Sequence, residues 1–503
     1  MAKYLIGIDI GTSSTKAILI SSNGSIIDQE KASYQIKTPH YGWVEANAND
    51  WFEAAISLIR ILATKVDAKD IVAIGIDGLY AGSGIPVDQS GKIIGPTLIW
   101  MDRRATHEAA EAETIVGNKE LEKVSANIAD PYYGFTKIMW IKKHHPDLYQ
   151  KTAKFLPPES YIIRHLTGNL SMNYSAAGNL AGIFDIDHDK WSNSIAFKLG
   201  IDLKKLPQKF IQSTDPAGYL RDEWAKELGL KAGIPIFNTG VDVGPATVGT
   251  GVFKPGKITV AAGTSMSAAM VTDHPLRNHN LIIWPYAYKP TQYYYNFAGA
   301  NTAGAIVTWF AKEFGIELTD KASINELNQH SLNVPIGSNG LIVLPYFMGE
   351  RSPLWDSTVR GTILGISLKT TKYEIYNAFQ EALAYAIRDG IDQFGAKPDG
   401  VITLVGGVSH SKKMVQMVAD VTGKTVLTTK TGGEANLGSA ILAGIGIHEV
   451  NAEDVSKWIK IDQKVSPNMK NHQLYNRYFE MYKKAYQSVK QYYKDFSSVI
   501  DKK

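Results

Sequence analysis

The chain has 503 residues and a formal net charge of +4, with 44% apolar residues, 20% charged residues and no cysteine. This length predicts two to four domains of an ordinary globular protein, and the lack of cysteine excludes disulfides, thiolate catalysis and cysteine-ligated zinc. Because the sequence shows no long basic run, no signal peptide and no apolar run of about 20 residues, we expect no nucleic-acid partner, no membrane partner and a cytoplasmic location.

The first predicted element is a β-hairpin between Leu5 and Ile20. Two apolar runs flank the turn Gly11-Thr12-Ser13, with Asp9 at the end of the first strand and Lys16 in the second. Such a turn exposes backbone N–H groups and hydroxyls beside one carboxylate and one ammonium group. These groups are suited to binding phosphates and Mg²⁺, and an ordinary hairpin is the alternative.

The next elements connect this hairpin to a buried strand. A further strand follows a glycine turn, and this antiparallel start argues against a Rossmann fold. Asn49 and Asp50 are the predicted N-cap of a helix over residues 51–65. The apolar run 71–77 predicts a buried strand, which leads into a flexible loop containing Leu79 and Tyr80.

Trp100, Asp102 and Arg104 follow a short apolar strand and precede a helix. An indole offers an apolar wall, and a carboxylate with a guanidinium can hydrogen-bond hydroxyl groups, so this segment predicts a polyol site. A surface salt-bridge cluster is the alternative. Residues 173–185 are rich in Ala, Gly and Ser and predict a loop near a cleft.

The pattern of the first hairpin returns in the second half of the chain. A buried strand first runs into a glycine-rich turn that carries Asp242, and a helix of small residues follows over 246–249. About twenty residues further on, Gly263-Thr264-Ser265 lies between two apolar strands and repeats the first hairpin. This repeat predicts two domains, over residues 1–245 and 246–503.

Three later segments complete the predicted organisation. Gly406-Gly407 follows a strand and precedes a helix, where its backbone could lie against a flat adenine, although such turns are common. Glu434 precedes a helix of small residues and either faces a ribose or caps the helix. From Gln473 onward, aromatic residues recur at helical spacing and predict a helix packed on the body rather than a nucleic-acid stack.

Two Gly-Thr-Ser hairpins, an Asp-bearing glycine turn and a Gly-Gly turn in this order resemble the actin-like ATPase fold. Within it, the chain resembles the FGGY family of carbohydrate kinases over nearly its whole length, including the segments 349–356, 361–368 and 434–438. The resemblance implies an α/β fold of two actin-like (ribonuclease H-like) domains, each a mixed β-sheet flanked by helices, with a cleft between them. Residues 1–245 would hold the sugar and the first phosphate loop. Residues 246–503 would hold the second phosphate loop, the adenosine site and the C-terminal helix.

The resemblance also implies roles for individual residues around ATP, Mg²⁺ and a sugar. Asp242 would be the general base on the sugar hydroxyl, and Asp9 would lie beside Mg²⁺. The sugar would contact Asp242 and the segments that contain Leu79, Tyr80, Trp100, Asp102 and Arg104. The nucleotide would contact Gly11, Thr12, Ser13 and Lys16 from the first domain, and Gly263, Thr264, Ser265, Gly406, Gly407 and Glu434 from the second.

The sequence departs from some members of this family near Asp77. The best-known xylulokinases and gluconate kinases carry Gln-Met-His after this strand, and glycerol kinases carry an Arg-Glu pair, whereas this chain has Gly78-Leu79-Tyr80-Ala81. The surrounding pattern resembles the xylulokinase-like branch that lacks the histidine.

The expected activity is ATP- and Mg²⁺-dependent phosphorylation of D-xylulose to D-xylulose 5-phosphate. The alternatives are a gluconate kinase, another ketose or polyol kinase, and a non-enzymatic actin-like protein that is switched by ATP. Homodimers are common in this family, so a homodimer is a candidate assembly.

Overall fold

The computed structural model describes residues 3–40, 42–317, 320–395, 400–430 and 433–500. The strands are β1 (Tyr4–Ile10), β2 (Ser14–Ser21), β3 (Ile26–Ser33), β4 (Glu45–Ala46), β5 (Ile71–Gly78), β6 (Ile85–Val87), β7 (Thr97–Leu98), β8 (Lys154–Leu156), β9 (Met172–Asn173), β10 (Phe184–Asp185), β11 (Lys190–Trp191), β12 (Phe210–Ile211), β13 (Pro216–Tyr219), β14 (Pro235–Val241), β15 (Ile258–Ala262), β16 (Met266–Thr272), β17 (Ile282–Pro285), β18 (Tyr294–Ala300), β19 (Ile342–Leu344), β20 (Thr362–Leu364), β21 (Val401–Val405), β22 (Thr425–Thr429) and β23 (Ile461–Val465).

The α-helices lie between groups of these strands along the chain. They are α1 (Ala48–Ala63), α2 (Thr106–Ile115), α3 (Asn118–Ser125), α4 (Gly134–His144), α5 (Pro146–Lys151), α6 (Pro158–Thr167), α7 (Tyr174–Asn179), α8 (Asn193–Lys198), α9 (Asp222–Leu228), α10 (Val243–Gly249), α11 (Gly304–Glu313), α12 (Lys321–Leu332), α13 (Lys372–Asp392), α14 (Lys412–Thr422), α15 (Ala435–Gly446), α16 (Ala452–Trp458) and α17 (Met469–Ile500). Within the described ranges, no helix combines the length and the apolar character needed to cross a membrane.

The first large sheet has the strand order β13-β14-β5-β1-β2-β3. β1 and β2 form the predicted antiparallel hairpin, whereas β1, β5 and β14 run parallel to one another. The carboxyl ends of these three parallel strands therefore meet at one edge of the sheet. Asp9 and Asp77 are paired neighbours at this edge, and Asp242 directly follows β14.

The second large sheet has the order β17-β18-β16-β15-β21-β22-β23. β15 and β16 form an antiparallel hairpin, and β15 also pairs in parallel with β21, as β1 does with β5 in the first sheet. Helices flank both sheets. The predicted α/β class with two mixed sheets is confirmed.

α15 belongs to the second half of the sequence but packs on the first sheet. An added Cβ at Gly7 would lie 1.8 Å from the Asn436 carbonyl oxygen, and one at Gly75 would lie 2.1 Å from the Ser439 carbonyl oxygen. The missing side chains on β1 and β5 therefore allow α15 to approach the strands that carry Asp9 and Asp77. The domain limits 1–245 and 246–503 remain a prediction.

Two local predictions are wrong. Residues 173–185 are not a loop, because they include α7, whose first turn is capped by the Asn173 Oδ1 atom accepting from the Ser175 N–H at 2.9 Å. The small residues of α7 are buried, and this packing compensates for their weak helix propensity. The N-cap of α1 is Asn47 rather than Asn49 or Asp50.

The C-terminal helix packs on the body, as its aromatic spacing predicts. Tyr482 is buried, and its hydroxyl lies 2.7 Å from that of Tyr346. The Tyr486 hydroxyl donates to Asp356 Oδ2 at 3.0 Å. α17 therefore stabilises the segment 349–356, which approaches the first half of the chain.

Candidate active site

Three carboxyl groups lie together at the edge formed by β1, β5 and β14. Asp77 is fully buried, and Asp9 is 8% exposed. Burial and, to a smaller extent, the nearby charge of Asp9 raise the pKa of Asp242 to about 7. Burial also raises the pKa of Asp77 well above its usual range, with further contributions from Asp9 and Asp242. Asp242 can therefore exchange a proton near neutral pH.

A cavity of about 420 Å³ opens from this edge. Five of its lining residues were predicted to bind the metal or the nucleotide or to act as the base. They are Asp9, Lys16, Asp242, Gly406 and Glu434. The cavity thus brings together groups from both halves of the chain. Its mixture of carboxylates, an ammonium group and backbone suits a charged, polar ligand.

The first Gly-Thr-Ser turn is held by side chains from two other segments. The Tyr34 hydroxyl donates to the Gly11 carbonyl oxygen at 2.7 Å. The Trp100 indole N–H donates to Thr12 Oγ1 at 3.1 Å. Ser13 is exposed at the tip of the turn. Trp100 therefore connects the predicted phosphate loop with the predicted sugar site.

The second Gly-Thr-Ser turn is differently placed. Gly263 and Thr264 are exposed, and their carbonyl oxygens accept from the N–H groups of Gly304 and Ala303 at 2.8 and 2.9 Å. Gly263, Thr264, Ser265 and Gly407 are not part of the lining of the 420 Å³ cavity. Their contact with a nucleotide remains a prediction.

The predicted sugar end is rich in aromatic side chains. The rings of Tyr80 and Tyr132 are 5.1 Å apart, and Tyr80 is buried together with Leu79. The Arg351 guanidinium lies 4.9 Å from the centre of the Trp100 ring and 5.8 Å from that of Tyr132. Its charge also lowers the pKa of Asp242, against the raising effect of burial. Both aromatic walls and the base thus adjoin this guanidinium.

Asp102 and Arg104 lie in a buried internal network. Asp102 Oδ2 accepts from the Val44 N–H at 2.6 Å and from Arg104 Nε at 2.9 Å. The Arg104 guanidinium lies 3.8 Å from the centre of the Trp43 ring and pairs with Glu45 at 2.9 Å. These contacts fix the segment that carries Trp100. A direct contact of Asp102 or Arg104 with a sugar remains a prediction.

Several residues of this region carried no predicted role. They are Asp77, Tyr132, Arg351 and Glu159. Glu159 is buried, and its Oε1 atom has no hydrogen-bond partner among the described residues. Burial raises the pKa of Glu159 to about 8, so this acid is mostly neutral at pH 7. Asp77 had a detectable signal, since it ends a buried strand. Arg351 belongs to the family segment 349–356, but the resemblance gave it no role, and Tyr132 and Glu159 have no local motif because their part of the site forms only on folding.

The residues present fit Mg²⁺. Among the described residues, no group of three or more His, Cys, Asp or Glu side chains forms a metal cage. However, Mg²⁺ is usually held by one or two carboxylates together with phosphates and water. Asp9 faces the cavity, and Asp77 Oδ1 beside it is buried without a hydrogen-bond partner in the described part.

Comparisons with known proteins agree with this geometry. Family models for the N-terminal and C-terminal domains of the FGGY family of carbohydrate kinases match residues 4–249 and 258–447. A xylulose kinase from Bacillus subtilis (strain 168) is 29% identical over 497 residues, which cover 97% of each chain.

Two solved structures from Lactobacillus acidophilus share the fold. A gluconate kinase superimposes with a TM-score of 0.91 at 23% identity, over 99% of this chain and 100% of the other. A xylulose kinase superimposes with a TM-score of 0.90 at 23% identity, over 98% and 100%.

The fold and the family matches define a phosphotransferase that uses ATP and a sugar as its substrates. The chain belongs to the FGGY family of carbohydrate kinases. This membership sets aside the alternative of a non-enzymatic actin-like protein.

Proposed function

We propose that the enzyme phosphorylates D-xylulose to D-xylulose 5-phosphate. The full-length similarity to a xylulose kinase supports this substrate, whereas the similarity to a gluconate kinase supports an aldonate as the second candidate. The charge balance at the sugar end favours the first candidate and is the observation on which the choice depends.

Each guanidinium described at the sugar end has a carboxylate near enough to affect its charge balance. Arg103 binds Asp130 through two hydrogen bonds of 2.7 and 3.1 Å, and Arg351 and Asp242 act on each other's pKa. Arg104 pairs with acids in the buried network. An uncharged ketose fits this balance, whereas gluconate would need a further cation to offset its buried carboxylate, because the charge of Arg351 already balances that of Asp242.

Lys137 does not supply that cation. Its ammonium group is fully buried and donates to the backbone carbonyl oxygens of Pro131 and Tyr132. Burial lowers the pKa of Lys137 to about 7, so much of it is neutral at physiological pH. Its donors stabilise the backbone below Tyr132 rather than face the cleft.

The chemical step follows from the position of Asp242. Its carboxylate accepts the proton of the attacking sugar hydroxyl while the new O–P bond forms. The bond between the γ-phosphorus and the bridging oxygen breaks, and ADP leaves with the electron pair. Since Asp242 Oδ1 accepts from the Val243 N–H at 2.7 Å, the carboxylate is held in a fixed orientation.

The other groups stabilise charge. We infer that the N–H groups of the two Gly-Thr-Ser turns bind phosphate oxygens and that Lys16 offsets part of their charge. Mg²⁺, held at Asp9, would neutralise negative charge on the phosphates. Closing the cleft would exclude water, which otherwise competes with the sugar as phosphoryl acceptor.

A coupled assay of ADP release tests the substrate. D-Xylulose, other pentuloses, hexuloses, glycerol and gluconate would be compared at equal concentration, with and without Mg²⁺. We expect kcat/KM for D-xylulose to exceed that for gluconate by at least about 100-fold, the effect of one unpaired buried charge. A higher kcat/KM for gluconate would overturn the assignment. A cytoplasmic location and a homodimer remain predictions.

A further inference from the structure

We propose that Arg351 is a substrate-contacting residue, which the second half of the chain contributes to the sugar end of the site. The inference rests on the proposed function in one respect, namely that the acceptor is a sugar bound beside Asp242.

The structure holds the Arg351 side chain in one position. Its Nε–H donates to the Gly299 carbonyl oxygen at 2.9 Å. The guanidinium lies close to this part of β18, where an added Cβ at Gly299 would be 2.7 Å from a terminal nitrogen. The aromatic rings of Trp100 and Phe297 lie beside it, with ring centres 4.9 and 5.7 Å from its central carbon. The side chain therefore loses little freedom when it binds a ligand.

The terminal nitrogens of Arg351 remain available. Among the described residues, neither of them has a hydrogen-bond or ion-pair partner, although the residue is only 8% exposed. A buried guanidinium with unused donors is costly unless a ligand satisfies them. Asp242 is the proposed base, and the hydrogen bond of its Oδ1 atom is accepted from the Val243 N–H rather than from Arg351. Each of the two groups thus keeps hydrogen-bonding capacity for a ligand, and they are close enough for their charges to affect each other's pKa.

A sugar satisfies this arrangement. Its ring carbons or chain can lie on the indole of Trp100, while its oxygens accept from Arg351 and its reacting hydroxyl donates to Asp242. Because Trp100 belongs to the first half of the chain and Arg351 to the second, a bound sugar contacts both halves. The Trp100 hydrogen bond to Thr12 extends this contact to the first phosphate turn.

Arg351→Met and Arg351→Lys test the inference in the full-length enzyme. We expect Arg351→Met to weaken sugar binding about 10- to 100-fold, measured calorimetrically without ATP, and to lower kcat/KM for the sugar at least as much. KM for ATP should change less than about threefold, since the residue does not line the nucleotide cavity. Arg351→Lys should show an intermediate loss, because lysine keeps the charge but not the planar fork.

Arg388→Met is a matched control. Arg388 also stacks on an aromatic ring, 4.3 Å from the centre of Phe479, but lies against α17 and away from the cleft. It should leave the sugar Kd within about twofold of the wild type. The inference is overturned if folded Arg351→Met also stays within twofold.

The wild-type enzyme gives an independent test that does not depend on the folding of a variant. In a complex with the sugar, a terminal nitrogen of Arg351 should lie roughly 2.7–3.2 Å from a sugar oxygen. A sugar bound beside Asp242 without such a contact would overturn the inference. If gluconate rather than D-xylulose proves to be the substrate, the proposed function fails, and the same measurements on gluconate still decide the role of Arg351.

Discussion

The two Gly-Thr-Ser hairpins have the same strand arrangement but different surroundings. In the first, Asp9 and Lys16 face each other across the strands, and Tyr34 holds the turn. In the second, the corresponding pair is Ala261 and Ser267, and Gly263 and Thr264 of the turn are exposed. The repeat therefore supplies backbone donors twice, whereas the charged groups belong to the first hairpin.

This difference separates two functions within one repeated element. Asp9, the proposed metal carboxylate, and Asp242, the proposed base, both lie at the edge of the first sheet, so changes there should affect the chemical step. Changes at the second turn should affect nucleotide binding more than chemistry. The predictions below test this division, from the largest expected effect to the smallest.

Asp242→Ala should have the largest effect. Removing the proposed general base is expected to lower kcat by about 10²- to 10⁴-fold with little change in nucleotide affinity. Steady-state kinetics and ATP-analogue titration would measure the two quantities. A kcat within tenfold of the wild type would show that Asp242 is not the base.

Asp242→Asn supplies the folding control. Because burial raises the pKa of Asp242 to about 7, the folded state binds this proton more tightly than the unfolded state, whose pKa is near 3.8. The ionised group therefore destabilises the fold progressively as the pH rises from about 4 to about 7. Asp242→Asn should melt at or above the wild-type temperature at pH 8, so inactivity would not reflect unfolding.

Asp9→Asn should have the second largest effect. The amide lacks the negative charge that Mg²⁺ requires, and we expect a roughly 10- to 100-fold loss of kcat with a higher Mg²⁺ concentration for half-maximal rate. Assays over a series of Mg²⁺ concentrations would separate these effects. An unchanged Mg²⁺ dependence would contradict the metal role of Asp9.

The pH dependence should show the titration of Asp242. Asp9 raises its pKa, while Lys16 and Arg351 lower it against the dominant effect of burial. Since the base must be ionised, kcat/KM should fall about tenfold per pH unit below about 7 and reach a plateau above it. A profile of kcat/KM from about pH 5 to pH 9 checks this, and melting curves at each pH show whether the enzyme stays folded. A flat profile down to pH 5 would exclude a base with this pKa.

Thr12→Ala and Thr264→Ala compare the two turns directly. Each removes one hydroxyl, so we expect KM for ATP to rise about 3- to 10-fold in both. Only Thr12 also accepts from the Trp100 indole, and therefore only Thr12→Ala should raise KM for the sugar. Steady-state kinetics with each substrate varied in turn would test this. An equal rise of KM for the sugar in both variants would contradict the proposed difference between the turns.

Elements with local signals were predictable from the sequence. The hairpin β1–β2 was recognised because apolar runs and a glycine turn lie within twenty residues. α7 was missed because its alanines, serine and glycine become helical through burial, which no local pattern reports. The packing of α15 on the first sheet also depends on glycines that are distant in the chain, such as Gly7.

The same reasoning applies to the site. Asp9, Lys16, Gly406 and Glu434 each lie at a strand end or beside a turn, so short patterns marked them, and they line one cavity. Arg351 could not be assigned in this way, because its environment consists of Trp100, Tyr132 and Gly299 from separate segments. Buried contacts of this kind form only when both halves have folded.

Tyr34→Phe should have the smallest effect and would make the first turn more like the second. It removes the hydrogen bond to the Gly11 carbonyl oxygen but keeps the ring, at a cost of about 1 kcal/mol. We expect KM for ATP to rise no more than about fivefold and amide hydrogen exchange at residues 11–14 to accelerate, with kcat nearly unchanged. Tyr219→Phe, at an exposed position, is the control. If exchange at the turn stays at the wild-type rate, the Tyr34 hydrogen bond does not order the first turn. The two hairpins would then differ only in the charged pair Asp9 and Lys16.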